Sequence, residues 1–232
     1  MRQAPVAGRR LLGLLLLTLL LLWPSLAWSP GPPAPPEAPG LRAAFAQAAF
    51  RSEYDQPGTN SLRRWQAPLR VLVEGEATGE DVSTLTAFME ELNTRVPGFP
   101  GISMAASAGE ANVTLTFAPL ADLPGLLAGY VPGNWGFFMF WTQEEVIISA
   151  RVLIASDITS QQERNHLILE EVTGLLGLPN DLDEHPDSII HQRWTTTQSL
   201  SQLDWQLLSL LYDSRLSPGM GWLQAQAALG WE

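Results

Sequence analysis

The stretch Leu167–Asp181, reading L-I-L-E-E-V-T-G-L-L-G-L-P-N-D, constrains this chain most. Ahead of it, Ser160-Gln161-Gln162-Glu163 has the form of a capping box and sets a helix start just after Ser160. Gly177 and Pro179 set its end near Leu176, because glycine takes the left-handed turn and proline cannot continue a helix. At about 100° per residue, Ile168, Leu169, Val172, Leu175 and Leu176 gather on one side, which must pack on a sheet. Glu170 points almost opposite, flanked one turn away by His166 and Gly174, while Glu171 sits at the edge between the two faces.

The sheet that such a helix needs is legible upstream. Leu69–Val73 reads as a buried strand, and 77–96 as a helix, for which Thr78 to Asp81 supply a cap and early acids and in which Val82, Leu85, Phe88, Met89 and Leu92 recur at helical spacing. Ala111–Phe117 alternates as a second strand, so the three form a βαβ unit with parallel strands. Trp135–Trp141 and Val146–Ala155 follow as an antiparallel hairpin joined by 142–145. The run W-G-F-F-M-F-W is expected as a strand packed in the core on both faces; a cleft rim presenting aromatic side chains to a ligand is the alternative. Downstream, Leu203, Leu207, Leu210 and Leu211 form the apolar face of a helix closed by Tyr212 and Asp213, and a short helix is expected over Leu223–Leu229.

Residues 1–29 have the grammar of a secretory signal peptide. Arg2, Arg9 and Arg10 precede an apolar run from Leu11 to Trp23, and Ser25 and Ala27 supply small residues for cleavage. The run falls short of the roughly 20 residues of a membrane-spanning helix, so membrane association is expected only through an uncleaved signal. Residues 30–40 form a Pro-rich linker, 41–222 a folded domain, and 223–232 a tail. The chain has no cysteine, which excludes a disulfide scaffold and a thiolate metal site. Export without cysteine fits the bacterial periplasm or secretion. Every basic residue is Arg, and loss of the first three leaves ten against 24 acidic residues. That excess of negative charge argues against nucleic acid as a partner.

The spacing of the central stretch resembles the metzincin zinc signature, H-E-x-x-H-x-x-G-x-x-H. Laid on 170–180, Glu171 matches the catalytic glutamate and Gly177 the turn glycine, while the three histidine positions hold Glu170, Gly174 and Asn180. As in matrixin-like metzincins, a turn follows, here Ser188-Ile189-Ile190-His191 with Ile190 at the methionine position, and then a helix ending in Leu211-Tyr212. G-L-P-N-D at 177–181, Ser188-Ile189, L-Y-D at 211–213 and R-L-S-P-G-M at 215–220 are also similar to a bacterial exported domain-of-unknown-function family, numbered twenty-nine twenty-seven. The resemblance covers about 41–222. It implies an α+β, metzincin-like (zincin) fold: a mixed, mostly parallel sheet, a central active-site-type helix, and a small helical C-terminal subdomain.

For chemistry, Glu171 stands at a vestigial general-base position, but Gly174 cannot bind zinc and asparagine rarely does. No cofactor is expected. The alternative is a zinc-dependent hydrolase with rearranged ligands, in which His166 and Glu170, at i and i+4, are completed by His185 or by Asp181, Asp183 or His191. Gly177, Asn180 and Asp181 are assigned a structural turn, with Glu170 expected to brace its backbone. The expected role is a non-catalytic binding or envelope-associated accessory protein whose partner is an envelope protein or peptide; a purely structural envelope protein is the third possibility.

Overall fold

The computed structural model describes residues 37–51 and 60–231, so the signal reading and most of the Pro-rich linker lie outside the described residues. The chain runs α1 (Leu41–Phe50), β1 (Arg64–Trp65), β2 (Leu69–Gly75), α2 (Gly79–Arg95), β3 (Ile102–Met104), β4 (Val113–Ala118), α3 (Leu123–Leu126), β5 (Gly136–Gln143), β6 (Val146–Ala155), α4 (Gln161–Leu175), α5 (Gln202–Leu211) and α6 (Trp222–Leu229). This is a mixed α/β fold with a mostly parallel sheet and six helices among the described residues. The sheet order is β1-β6-β4-β2-β3, with β5 added on β6 as the antiparallel strand. β2 and β4 pair in parallel across α2, as the strand–helix–strand spacing predicts. β1 and β3, of two and three residues, are too short to show a period and were not legible as strands.

The caps are where the sequence places them. Thr78 and Asp81 form a full capping box on α2, and the Ser160 hydroxyl accepts from Glu163 N at the start of α4. The hairpin turn is Glu144-Glu145, both at positive φ (51° and 62°), a tighter connection than the expected 142–145. α6 occupies the expected short helix. Trp222 and Trp231, at its two ends, reach the rings of Phe50 and Phe45 on α1 (5.4 and 6.2 Å).

α4 departs from a simple amphipathic helix. Its apolar side is buried as expected, but Arg164, His166, Glu171 and Thr173 are buried too. α2, β5 and β6 all pack on it. Arg164 and His166 are tolerated because each finds a partner far along the chain, and Thr173 donates back to the Leu169 carbonyl within the helix (2.7 Å). Arg164 donates to Asp81 through Nε (3.0 Å) and Nη2, and to the Ser156 carbonyl (2.6 Å). Gln161 donates to the same Asp81 (2.7 Å), so one carboxylate on α2 collects the first turn of α4.

A second buried carboxylate, Asp204, is the capping-box residue of α5 and also fastens the turn Ser188–His191. It accepts from Ser188 Oγ, from Ile189 N (3.0 Å) and from Ser201 N (2.8 Å). The Ser-Ile pair and the following helix are thus one unit. Asp204→Ala is expected to cost about 2–3 kcal/mol, since it strands several buried donors that now meet a charged acceptor. Urea unfolding checks this; a loss under about 0.5 kcal/mol, typical of a surface change, would show that the turn is held by other means.

Candidate functional site

A cleft of about 1060 Å³ opens between β5 and α4. From α4 it is lined by Glu163, Leu167, Glu170, Glu171 and Gly174, a single helical face at spacings of i, i+4, i+7, i+8 and i+11. From β5 and its lead-in it is lined by the unbroken run Trp135 to Phe140. The turn after α4 adds Leu178, Pro179 and Asp181, and the chain after the Ser-Ile turn adds Gln192 and Trp194.

The aromatic run is therefore not a strand buried on both faces. Only Phe137 is fully buried, where it meets Tyr130 (5.4 Å). Phe138, Met139 and Phe140 are half-buried, and Trp135 and Trp141 are exposed. The physical reason is topological: among the described residues β5 pairs with β6 alone, so its other edge has no strand to bury it. Phe138 and Phe140 stack along the cleft (6.2 Å, 25° between planes), and Arg63 lies over Phe140 while donating to Glu145 (3.1 Å). Trp135 packs edge-on against Trp194 (6.2 Å). Trp135 and Thr142 bracket roughly 20 Å of extended strand, so these two pairs mark opposite ends of the cleft.

The α4 residues singled out by the sequence divide into distinct environments. Glu171 is buried, with its carboxyl against the start of β5: a methyl group on Gly136 would come within 2.2 Å of Glu171 Oε1. His166 is also buried, not on an exposed face as its position on the helix suggested. Its ring is covered by Trp194 (5.9 Å) and its Nδ1 bonds the Thr197 carbonyl (2.9 Å). His166 Nε2 faces Glu170 Oε2 at 3.4 Å. Burial favours the neutral ring, but the Glu170 carboxylate and the Thr197 carbonyl outweigh it and hold the imidazole pKa above its ordinary value.

Glu170 thus faces His166, and the turn at 177–181 is braced differently from the expectation. Asn180 N donates to the Ala48 carbonyl (3.3 Å), and Gln47 Nε2 (2.7 Å) and Asn180 Nδ2 (2.9 Å) both donate to the Asp181 carbonyl. The brace comes from α1, which lies more than 100 residues earlier, and no local signal announced it.

Whether these residues suit zinc can be tested on the donor set. Gly174 offers no ligand, and its surface is covered by Phe138, whose Cε1 would stand 2.4 Å from any added Cβ. Asn180 Nδ2 donates to Asp181 O, and Glu170 faces His166. His185 does not join His166 and Glu170; its ring lies against Gly40. His191 Nδ1 bonds the Leu182 carbonyl (2.9 Å). Among the described residues, no three His, Asp or Glu side chains are placed together to hold a metal ion. The arrangement does not fit a tetrahedral zinc site.

A family model described as a protein of unknown function (DUF2927) matches residues 39–230. No curated protein matches the chain.

Proposed function

The chain belongs to the DUF2927 family of proteins of unknown function, and from that premise we propose that it is a non-catalytic binding protein whose cleft takes an extended peptide as an added strand on β5. One observation carries this reading. Six consecutive residues, Trp135 to Phe140, line the cleft. A strand presents alternate side chains to one face, so a cleft lined by every residue in turn runs along the strand's edge, the one on which, among the described residues, no strand pairs with β5. Strand addition uses the backbone groups of such an edge for affinity and flanking pockets for specificity. The cleft spans about six or seven extended residues.

The reading places the chain on a metzincin-like fold exported to the bacterial envelope. The fold part of that reading is supported by the order of elements: hairpin β5–β6, then α4, then the Ser-Ile turn held by Asp204, then α5. No helix among the described residues is long and apolar enough to cross a membrane. The zinc-hydrolase alternative has no donor set in its favour. Glu171 keeps the position of a general base without a neighbouring site to activate water.

The test uses peptides retained by the full chain from a random nonapeptide library displayed on phage. Single N-methyl groups are walked along a retained peptide. We expect affinity to fall at least tenfold at alternate positions and to change little between them, the pattern of a strand pairing on one side. A uniform effect would exclude strand addition. A library that yields no binder would leave the purely structural envelope role.

A further inference from the structure

We infer, resting on the peptide-groove reading, that the Trp135–Trp194 end of the cleft takes a cationic side chain, Lys or Arg, of the bound segment. The first observation is aromatic. Trp135 and Trp194 remain 43% and 53% exposed although they touch each other and Trp194 also meets His166, so a large indole surface is left open beside the cleft. The second is charge. Glu163 and Glu170 line the same cleft from one face of α4, two turns apart with Leu167 between them. The segment that carries Trp194 is tied to that part of α4, through Gln198 Nε2 to the Gln162 carbonyl (2.8 Å) and through His166 to Thr197. The rings and the carboxylates therefore belong to one end of the groove.

Three kinds of side chain could seat there. An acidic one meets like charge. A neutral apolar one covers the indoles but strips water from Glu163 and Glu170 without replacing it, which is unfavourable. A long cation satisfies both: its methylene stem or guanidinium plane lies on the indole faces while its head meets the carboxylates. Arg63, the guanidinium that lines the cleft, is already bonded to Glu145 at the far end and over Phe140, so it does not neutralise this end. His166 offsets part of the charge of Glu170 but faces it from behind Trp194, leaving Glu163 as the second carboxylate. The whole chain, at a formal net charge of −11, adds long-range attraction for a basic segment.

Panning the random nonapeptide library on the full chain separates the two claims. Retained peptides should be several-fold enriched in Lys and Arg over the input and depleted in Asp and Glu. Changing the enriched Lys of a retained peptide to norleucine should weaken binding at least tenfold, and so should the Glu163→Gln/Glu170→Gln variant. The norleucine peptide should bind that variant and the parent chain alike. Because Glu170 also faces His166, Glu163→Gln alone serves as the second variant and should weaken the Lys peptide several-fold with an unchanged thermal melt. Binders without a basic residue, or affinity indifferent to norleucine, would overturn the cation assignment and leave the groove standing. No binders at all would overturn both.

Discussion

Arg164→Ala should cost the fold about 3–5 kcal/mol, because it leaves Asp81 as an uncompensated charge in the interior. Both partners are buried, at 4% and 1% exposure. The pair joins three layers. Asp81 caps α2 through Thr78, Arg164 belongs to the first turn of α4, and the guanidinium also reaches carbonyls at Ser156 and Glu76, at the ends of β6 and β2. Domains of this size carry about 5–15 kcal/mol in all, so the single variant should unfold at much lower urea. Asp81→Leu/Arg164→Met should recover most of the loss, since a buried ion pair replaced by apolar groups of similar volume is often neutral. The lost cap of α2 should leave a residue of about 1 kcal/mol. Burial alone would raise the Asp81 pKa; Arg164, Thr78 and Gln161 outweigh it and hold it below the ordinary carboxylate value. The pair's contribution is therefore complete above the unfolded-state value of about 3.9 and is lost as pH falls through the lower folded value. Urea melts of the three variants decide the matter. An Arg164→Ala chain within about 0.5 kcal/mol of the parent would rule out the pair as a brace, because that is the scale of a surface change.

The same pair shows what the sequence could and could not disclose. Thr78-x-x-Asp81 is a local signal, and it correctly starts a helix. That the same aspartate takes an arginine 83 residues away is tertiary information, and an Arg in the first turn of a helix looks like ordinary solvated surface. The strands β2, β4 and β6, the hairpin and α4 were legible because period, caps and turns are all local. β5 was legible as a strand but not in its role. Aromatic residues on a doubly buried strand and on a strand beside a cleft are the same residues, and the difference lies in how many neighbours the strand has. His166 was misplaced for a related reason. Helix geometry puts it opposite the sheet, but the segment 194–197 folds over it from a loop whose path no periodicity encodes. The Glu170 brace failed because Gln47, on the first helix, supplies the hydrogen bond to the turn instead.

The two glycines of the central motif should respond to very different degrees to the same small substitution. Gly177→Ala is expected to cost more than about 4 kcal/mol, beyond the range of most single changes. Its φ is +123°, where an L residue is strained by about 1–3 kcal/mol, and its Cβ would lie 2.2 Å from the Arg63 carbonyl oxygen. That contact is backbone on backbone, and neither side can yield. The next residue, Arg64, donates to the carbonyls of Leu211, Asp213 and Leu216, and the Trp65 indole donates to Leu175 O (3.0 Å). Gly174→Ala meets a softer obstacle, the tip of the Phe138 ring. That ring is half-buried and borders the cleft, so it can swing outward, and alanine returns about 1 kcal/mol of helix propensity. The net cost should be no more than about 2 kcal/mol, within the ordinary range of single changes. Phe138→Ala should remove it, so that Phe138→Ala/Gly174→Ala is more stable than Phe138→Ala alone. Gly177→Ala should gain nothing from the same Phe138→Ala change. Urea melts of these variants test both halves, and a well-folded Gly177→Ala chain would refute the backbone argument. Gly177 is thus demanded by the join of α4 to β1 whether or not a metal is ever bound. Gly174, at a position where the zinc motif has histidine, is demanded only by the aromatic strand laid across it.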